Sequence, residues 1–192
     1  MIAALAPTEM PPQMRISCEL YHEMIEKGVL TENHRVELID GYLITKMSIG
    51  PSHSAVVTRI ERLIDRRVGD LALVRGQNPI TIHEYSEPEP DVVVAKFRDD
   101  FYASAHPGPS DVLLVIEVAD TSLAFDRKAK VPLYAASGIP ETWLVDLTNG
   151  ELQVFRKPEG ANYSETLVLK AGDVVPLPGL EGITLAVSDM GL

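Results

Sequence analysis

The segment Val112–Val118 limits the folds open to this chain more than any other part of the sequence. It reads VLLVIEV, so a strand formed here carries apolar side chains on both of its faces. Such a strand is stable only near the centre of a sheet that is covered on both faces. The rest of the chain must therefore supply neighbouring strands and helices that pack on both sides of this strand.

Three segments have the apolar spacing of helices. The first, Cys18–Lys27, follows a capping Ser17 and stops at Gly28. The second starts at Gly50-Pro51-Ser52 and runs to about Val68. The third covers Phe125 to Ser137, with an apolar stripe formed by Phe125, Ala129, Leu133 and Ala136.

The remaining apolar runs predict strands. Asp40-Gly41 favours a two-residue hairpin turn, and Asn149-Gly150 predicts a second hairpin. Further strands are expected near Leu71–Arg75, Pro79–His83, Val92–Ala95, Thr142–Leu147, Glu151–Phe155 and Tyr163–Leu169. The pattern predicts an α/β (α+β) fold in which helices flank a central mixed β-sheet, with additional β-hairpins. One domain is expected over residues 17–192, after a flexible, proline-rich arm over residues 1–16.

Charge and composition narrow the classes of partner. The chain has 17 basic and 28 acidic residues, a net charge of -11, which repels nucleic acid at long range. A lone cysteine, Cys18, excludes an internal disulfide framework and a cysteine-rich zinc site. The first twelve residues contain no basic side chain, so they are not expected to be a signal peptide, and no apolar run approaches the ~20 residues that span a bilayer. A cytoplasmic protein without a membrane partner is expected.

Three acidic residues lie where apolar residues would be expected. Alternation in the first hairpin places Glu37 on the same face as Ile39. Asp91 precedes one apolar strand and Glu117 ends another, so antiparallel pairing would bring the two together. Converging carboxylates repel one another unless a cation joins them, and oxygen ligands favour Mg²⁺ or Mn²⁺. The alternative is that each acid is a solvated residue at the rim of the sheet.

The order of these motifs resembles the Uma-type endonuclease family of the PD-(D/E)xK, restriction-endonuclease-like superfamily. The resemblance extends from about Ser17 to Leu185, and its most specific phrase is GIPETWLVDL at residues 138–147. It implies a restriction-endonuclease-like core and a metal-dependent endonuclease that hydrolyses DNA. It further implies that Glu37, Asp91, Glu117 and the backbone carbonyl of Val118 hold Mg²⁺ or Mn²⁺.

The lysine of the superfamily is displaced in this chain. Two positions after Glu117 the sequence has Ala119, and the resemblance instead assigns the catalytic lysine to Lys130, four residues after Asp126. Helical periodicity alone does not choose between Lys128 and Lys130, because they flank opposite sides of the predicted stripe. Tyr134 and Asp126 share the flank of Lys130.

Two further residues are candidates for the lining of the site. His53 is on the inner face of the second helix, as either a core histidine or a catalytic one, and Gln77 follows Arg75-Gly76. The expected partner is DNA, bound weakly and with the help of the metal. Exposed strands suggest a homodimer. The alternative function is a nuclease-like fold without activity that serves as an assembly or nucleic-acid-tethering module.

Overall fold

The structure is a computed structural model, and it describes residues 13–47 and 49–192. The helices are α1 (Cys18–Glu26), α2 (Pro51–Val68), α3 (Leu123–Phe125) and α4 (Val131–Ala136). The strands are β1 (Val36–Ile39), β2 (Tyr42–Thr45), β3 (Ala72–Gly76), β4 (Val92–Lys96), β5 (Val112–Ala119), β6 (Glu141–Asp146), β7 (Glu151–Glu159), β8 (Asn162–Leu169), β9 (Val174–Pro176) and β10 (Thr184–Ala186).

The main sheet has six strands in the order β3-β4-β5-β6-β7-β8. Strands β5 and β6 run parallel, and all other neighbours in this sheet are antiparallel. The central position predicted for β5 is confirmed, because Leu114 and Ile116 pack with α2 while Val115 packs with Leu133 and Tyr134 on the opposite face. The expected mixed sheet flanked by helices is the fold observed.

Helix α2 forms one cover of the sheet. Gly50 is its N-cap and Pro51 occupies its first turn. The N–H groups of this turn have no acceptor within the helix, so the N–H that proline lacks costs no hydrogen bond. Its buried side chains, Val56, Val57, Ile60, Ile64 and Val68, form one face. Across residues 13–47 and 49–192, no helix combines the length and the apolar character that crossing a bilayer requires.

The first hairpin is a separate layer formed by β1 and β2. Its turn residues Asp40 and Gly41 both have positive φ, 50° and 81°, as a two-residue turn of this handedness requires. Residues 1–12 of the predicted arm lie outside the described residues. Residues 13–16 lie against this turn, where the Ile16 N–H donates to the Gly41 carbonyl at 3.0 Å.

The strand predicted over Pro79–His83 is wrong. The segment is extended, but its N–H groups donate to three different places instead of one ladder. Ile80 donates to Pro88, Thr81 to Pro107 and Ile82 to Ser86. Because no single neighbouring strand accepts these bonds, the segment crosses between elements as an ordered connection.

The helix predicted from Phe125 to Ser137 starts earlier, at Leu123, and contains a π turn over Asp126–Lys130. The Val131 N–H donates to the Asp126 carbonyl, five residues back. The wider turn rotates Asp126 and Lys130 inward, and both are buried. The predicted stripe is therefore wrong at its two ends, because Phe125 and Ala136 are exposed.

Truncating the core on β5 tests this packing. Leu114 is fully buried, so Leu114→Ala should lower the free energy of unfolding by about 2–5 kcal/mol. Leu71 is 65% exposed, so Leu71→Ala should change it by less than about 0.5 kcal/mol. Urea unfolding followed by circular dichroism measures both. Equal losses in the two variants would contradict the described core.

Candidate active site

Asp91 and Glu117 meet at one end of the main sheet, as the sequence predicts for antiparallel neighbours. Val92 pairs with Ile116 in the β4–β5 register, which leaves Asp91 beside the end of β5. The Asp91 Oδ2 accepts the Val118 N–H at 2.8 Å. This bond fixes the Asp91 carboxylate next to the backbone of the residue that follows Glu117.

Lys130 lies between two carboxylates from different layers. Its Nζ is 3.0 Å from Glu37 Oε1 and 3.3 Å from Glu117 Oε1. The side chains of all three are less than a tenth exposed. Lys130 is thus the lysine that lies among these carboxylates, whereas Lys128 is exposed to solvent.

Two hydrogen bonds hold the carboxylates of Glu117 and Glu37 in place. The Tyr134 hydroxyl donates to Glu117 Oε1 at 2.6 Å, and the Glu89 N–H donates to Glu37 Oε2 at 3.0 Å. The Leu38 carbonyl accepts the Glu87 N–H at 2.8 Å, which fastens the connection before β4 to β1. The first hairpin thus presents Glu37 to the end of the main sheet.

Asp126, His53 and Gln77 also reach this region. Ser122 donates its hydroxyl to Asp126 Oδ2 at 2.6 Å. The His53 Nε2 is 3.2 Å from Asp91 Oδ2, and its buried Nδ1 has no hydrogen-bond partner among the described residues. Gln77 has a left-handed backbone, φ 50°, and its N–H donates to the Asp91 carbonyl at 3.0 Å.

The electrostatics of the site reflect an excess of buried acid. Burial raises the pKa of Glu117 to about 8; Lys130 opposes this rise, while Asp126, Asp91 and Glu37 add to it. Burial also raises the pKa of Asp126. For Lys130, burial alone would lower the pKa, but Glu117 and Glu37 raise it above its ordinary value, so the ammonium stays charged. The hydrogen bond to Asp91 raises the pKa of His53.

These groups line one cavity of about 320 Å³. Its walls also include residues that sequence reasoning did not select, namely Ile44, Thr45, Lys46, Met47, Ile49, Glu89, Ser122 and Phe125. Glu89 had a signal, because it lies between two prolines in the acidic run just before Asp91. The others lie on β2, on the connection from β2 to α2, and just before the π turn at Ser122 and Phe125.

The predicted grouping of three carboxylates around one ion is not formed. Within the described part of the chain, no three His, Cys, Asp or Glu side chains are grouped so that they could hold a metal ion. The physical reason is the ammonium of Lys130, which lies between Glu37 and Glu117 and pairs with both. Asp91 and Glu117 remain together, and Glu37 serves as a counter-ion of the lysine.

Comparisons with known proteins agree with this architecture. The crystal structure of "a putative nuclease belonging to DUF820 from Anabaena variabilis ATCC 29413" is similar to this chain, with a TM-score of 0.73 and 21% identity over 91% of this chain and 97% of that one. No curated protein matches the chain. The sequence profile of the Uma2 family, described as "Putative restriction endonuclease", matches residues 18–188. The resemblance noted in the sequence is thereby confirmed, and the chain belongs to the Uma2 family.

Proposed function

We propose that this protein is a metal-dependent endonuclease that hydrolyses phosphodiester bonds in DNA. The observation that carries the proposal is a buried lysine held beside two carboxylates, with a third carboxylate, Asp91, directly before the neighbouring strand β4. The description of the family supports the same reaction class. A charged lysine next to a cation-binding carboxylate pair is suited to the charge that develops on a phosphate under attack.

The available donors are carboxylate and carbonyl oxygens, the ligands that Mg²⁺ and Mn²⁺ prefer. Glu37, Asp91, Glu117 and Asp126 line the cavity with Lys130, so carboxylates outnumber this buried cation. The raised pKa of Glu117 reflects both burial and this repulsion, which a bound cation would relieve. We assign Mg²⁺ or Mn²⁺ to Asp91, Glu117 and the backbone carbonyl of Val118. When bound, such a metal acidifies a water molecule and stabilises the charge on the phosphate.

The chain's own residues supply the remaining steps. Lys130 orients the attacking water or neutralises charge on a phosphate oxygen, and Glu37 keeps its ammonium in position. Tyr134 fixes Glu117 through its hydroxyl. In the reaction, the water oxygen forms a bond to phosphorus while one phosphorus–oxygen ester bond breaks. The leaving oxygen takes a proton, so one product ends in a phosphate and the other in a hydroxyl.

DNA binding in this proposal is weak and depends on salt, because the chain's net charge is -11.

A homodimer is also part of the proposal. Strand β8 ends the main sheet, and its outer edge has no strand partner in the part of the chain that the structure covers. Such an edge can pair with a second copy of the chain. Two copies would provide two sites for two strands.

Replacing each of the two lysines by alanine tests the assignment of Lys130 as the catalytic lysine. Lys130→Ala should reduce metal-dependent nicking of plasmid DNA by at least about a hundredfold, because the charge that faces the transition state is removed. Lys128→Ala is the matched control on the same turn and should retain nicking within about twofold, since Lys128 is exposed. Gel assays with Mg²⁺, with Mn²⁺ and with chelator measure this. Normal nicking by Lys130→Ala would contradict the assignment, and no nicking by the wild-type protein would favour the inactive module.

Metal binding should depend on pH through Glu117. Below its pKa of about 8 this carboxyl holds a proton, which the metal must displace. The affinity for Mn²⁺ should therefore rise between pH 6 and 8, by at most about tenfold per pH unit. Calorimetric titration of the wild-type protein should show this rise.

Two variants complete the metal experiment. Glu117→Ala should lose most of the binding, whereas Glu151→Ala, a change of the same kind at a carboxylate outside the cavity, should bind as the wild-type protein does. Equal binding by Glu117→Ala would remove Glu117 from the metal site, whereas an affinity that stays flat over this pH range would contradict the raised pKa of Glu117.

A further inference from the structure

Three of the exposed side chains that line the cavity are apolar, beside the polar Thr45 and Gln77, whereas its buried lining is largely charged. Met47 and Ile49 lie in the connection before α2, Phe125 ends α3, and all three line the cavity. They are 51%, 43% and 37% exposed, whereas Glu117 is only 3% exposed. Among the described residues, none of the three belongs to the hydrophobic cores. We call Met47, Ile49 and Phe125 the apolar rim.

An apolar rim above buried acids is unusual for a site that binds a polyanion through charge alone. The lysines that line the cavity are both already paired, Lys46 with Glu89 and Lys130 with Glu37 and Glu117. A phosphate backbone therefore meets little free positive charge here. Affinity for the substrate has to come in part from contacts that do not involve charge.

We infer that the apolar rim binds one unpaired nucleobase of the substrate, stacked on Phe125. This inference rests on the proposed function and specifies its substrate as a nucleic acid with an unstacked nucleotide at the cleavage position, for example a single strand. Aromatic side chains bind the faces of unpaired bases in this way, with little regard to sequence. A base is apolar on its faces, so the negative site does not repel it.

The depth of the reactive groups favours an unpaired nucleotide over an intact duplex. Glu37, Glu117 and Lys130 are 3%, 3% and 6% exposed, so a phosphate must descend below the rim to reach them. The cavity of about 320 Å³ has the size of a pocket for one small ligand. In a double helix the paired and stacked bases keep each phosphate on the outside of the duplex. An unpaired nucleotide can instead turn its base toward the apolar rim.

Phe125 and Phe97 provide a matched pair for the test. Both are exposed to a similar degree, 37% and 40%, but only Phe125 lines the cavity. A single-stranded oligonucleotide and the same sequence in a duplex are compared as substrates. We expect the wild-type protein to cleave the single strand faster. Phe125→Ala should raise the KM for the single strand about tenfold with little change in kcat. Phe125→Tyr should restore the wild-type KM, because tyrosine keeps an aromatic face. Phe97→Ala should leave the KM unchanged.

Binding without cleavage separates this inference from the proposed function. Fluorescence anisotropy with the single strand and Ca²⁺ gives Kd at 50 and 200 mM salt for the same variants. Because stacking does not depend on charge, the Kd of Phe125→Ala should be about tenfold higher than that of the wild-type protein at both salt concentrations. Equal Kd values for Phe125→Ala and the wild-type protein would overturn the inference, whether or not the protein cleaves DNA. A wild-type protein that cleaves duplex faster would overturn it while leaving the proposed function in place.

Discussion

The ammonium group of Lys130 connects parts of the chain that are far apart in sequence. It pairs with Glu37 from the first hairpin and with Glu117 from the central strand, and all three side chains are almost fully buried. Removing one partner would leave an uncompensated buried charge, which is costly in a protein interior. The hairpin, the π turn and the end of β5 are therefore held in one arrangement by one set of charges.

Much of the framework follows from the sequence. The apolar run of β5 demands a central strand, and Asp40-Gly41 demands a tight turn, which together place Glu37 and Glu117 on elements that can meet. The antiparallel β4–β5 pair brings Asp91 beside them. These features are local patterns with strong steric or solvation preferences, and such patterns are readable without a structure.

The choice between Lys128 and Lys130, by contrast, does not follow from a local sequence pattern. Regular helical spacing places Lys128 and Lys130 symmetrically about the expected stripe, so it cannot select either. The π turn over Asp126–Lys130 breaks this symmetry by adding a residue to one turn, and Pro132, which lacks an N–H, follows where the regular helix resumes. The place of Phe125 at the cavity is likewise not readable from regular spacing, because that spacing predicts Phe125 in a buried stripe and the residue is exposed instead.

We propose that the end of β5 is a metal site served by a buried lysine. Crystals of the protein grown or soaked with Mn²⁺ and measured for anomalous scattering test it most directly. We expect one strong anomalous peak within coordination distance, about 2.1 Å, of the Asp91 and Glu117 carboxylates, with Lys130 still paired to Glu37. A cavity without a peak, or a peak bound elsewhere on the chain, would contradict it.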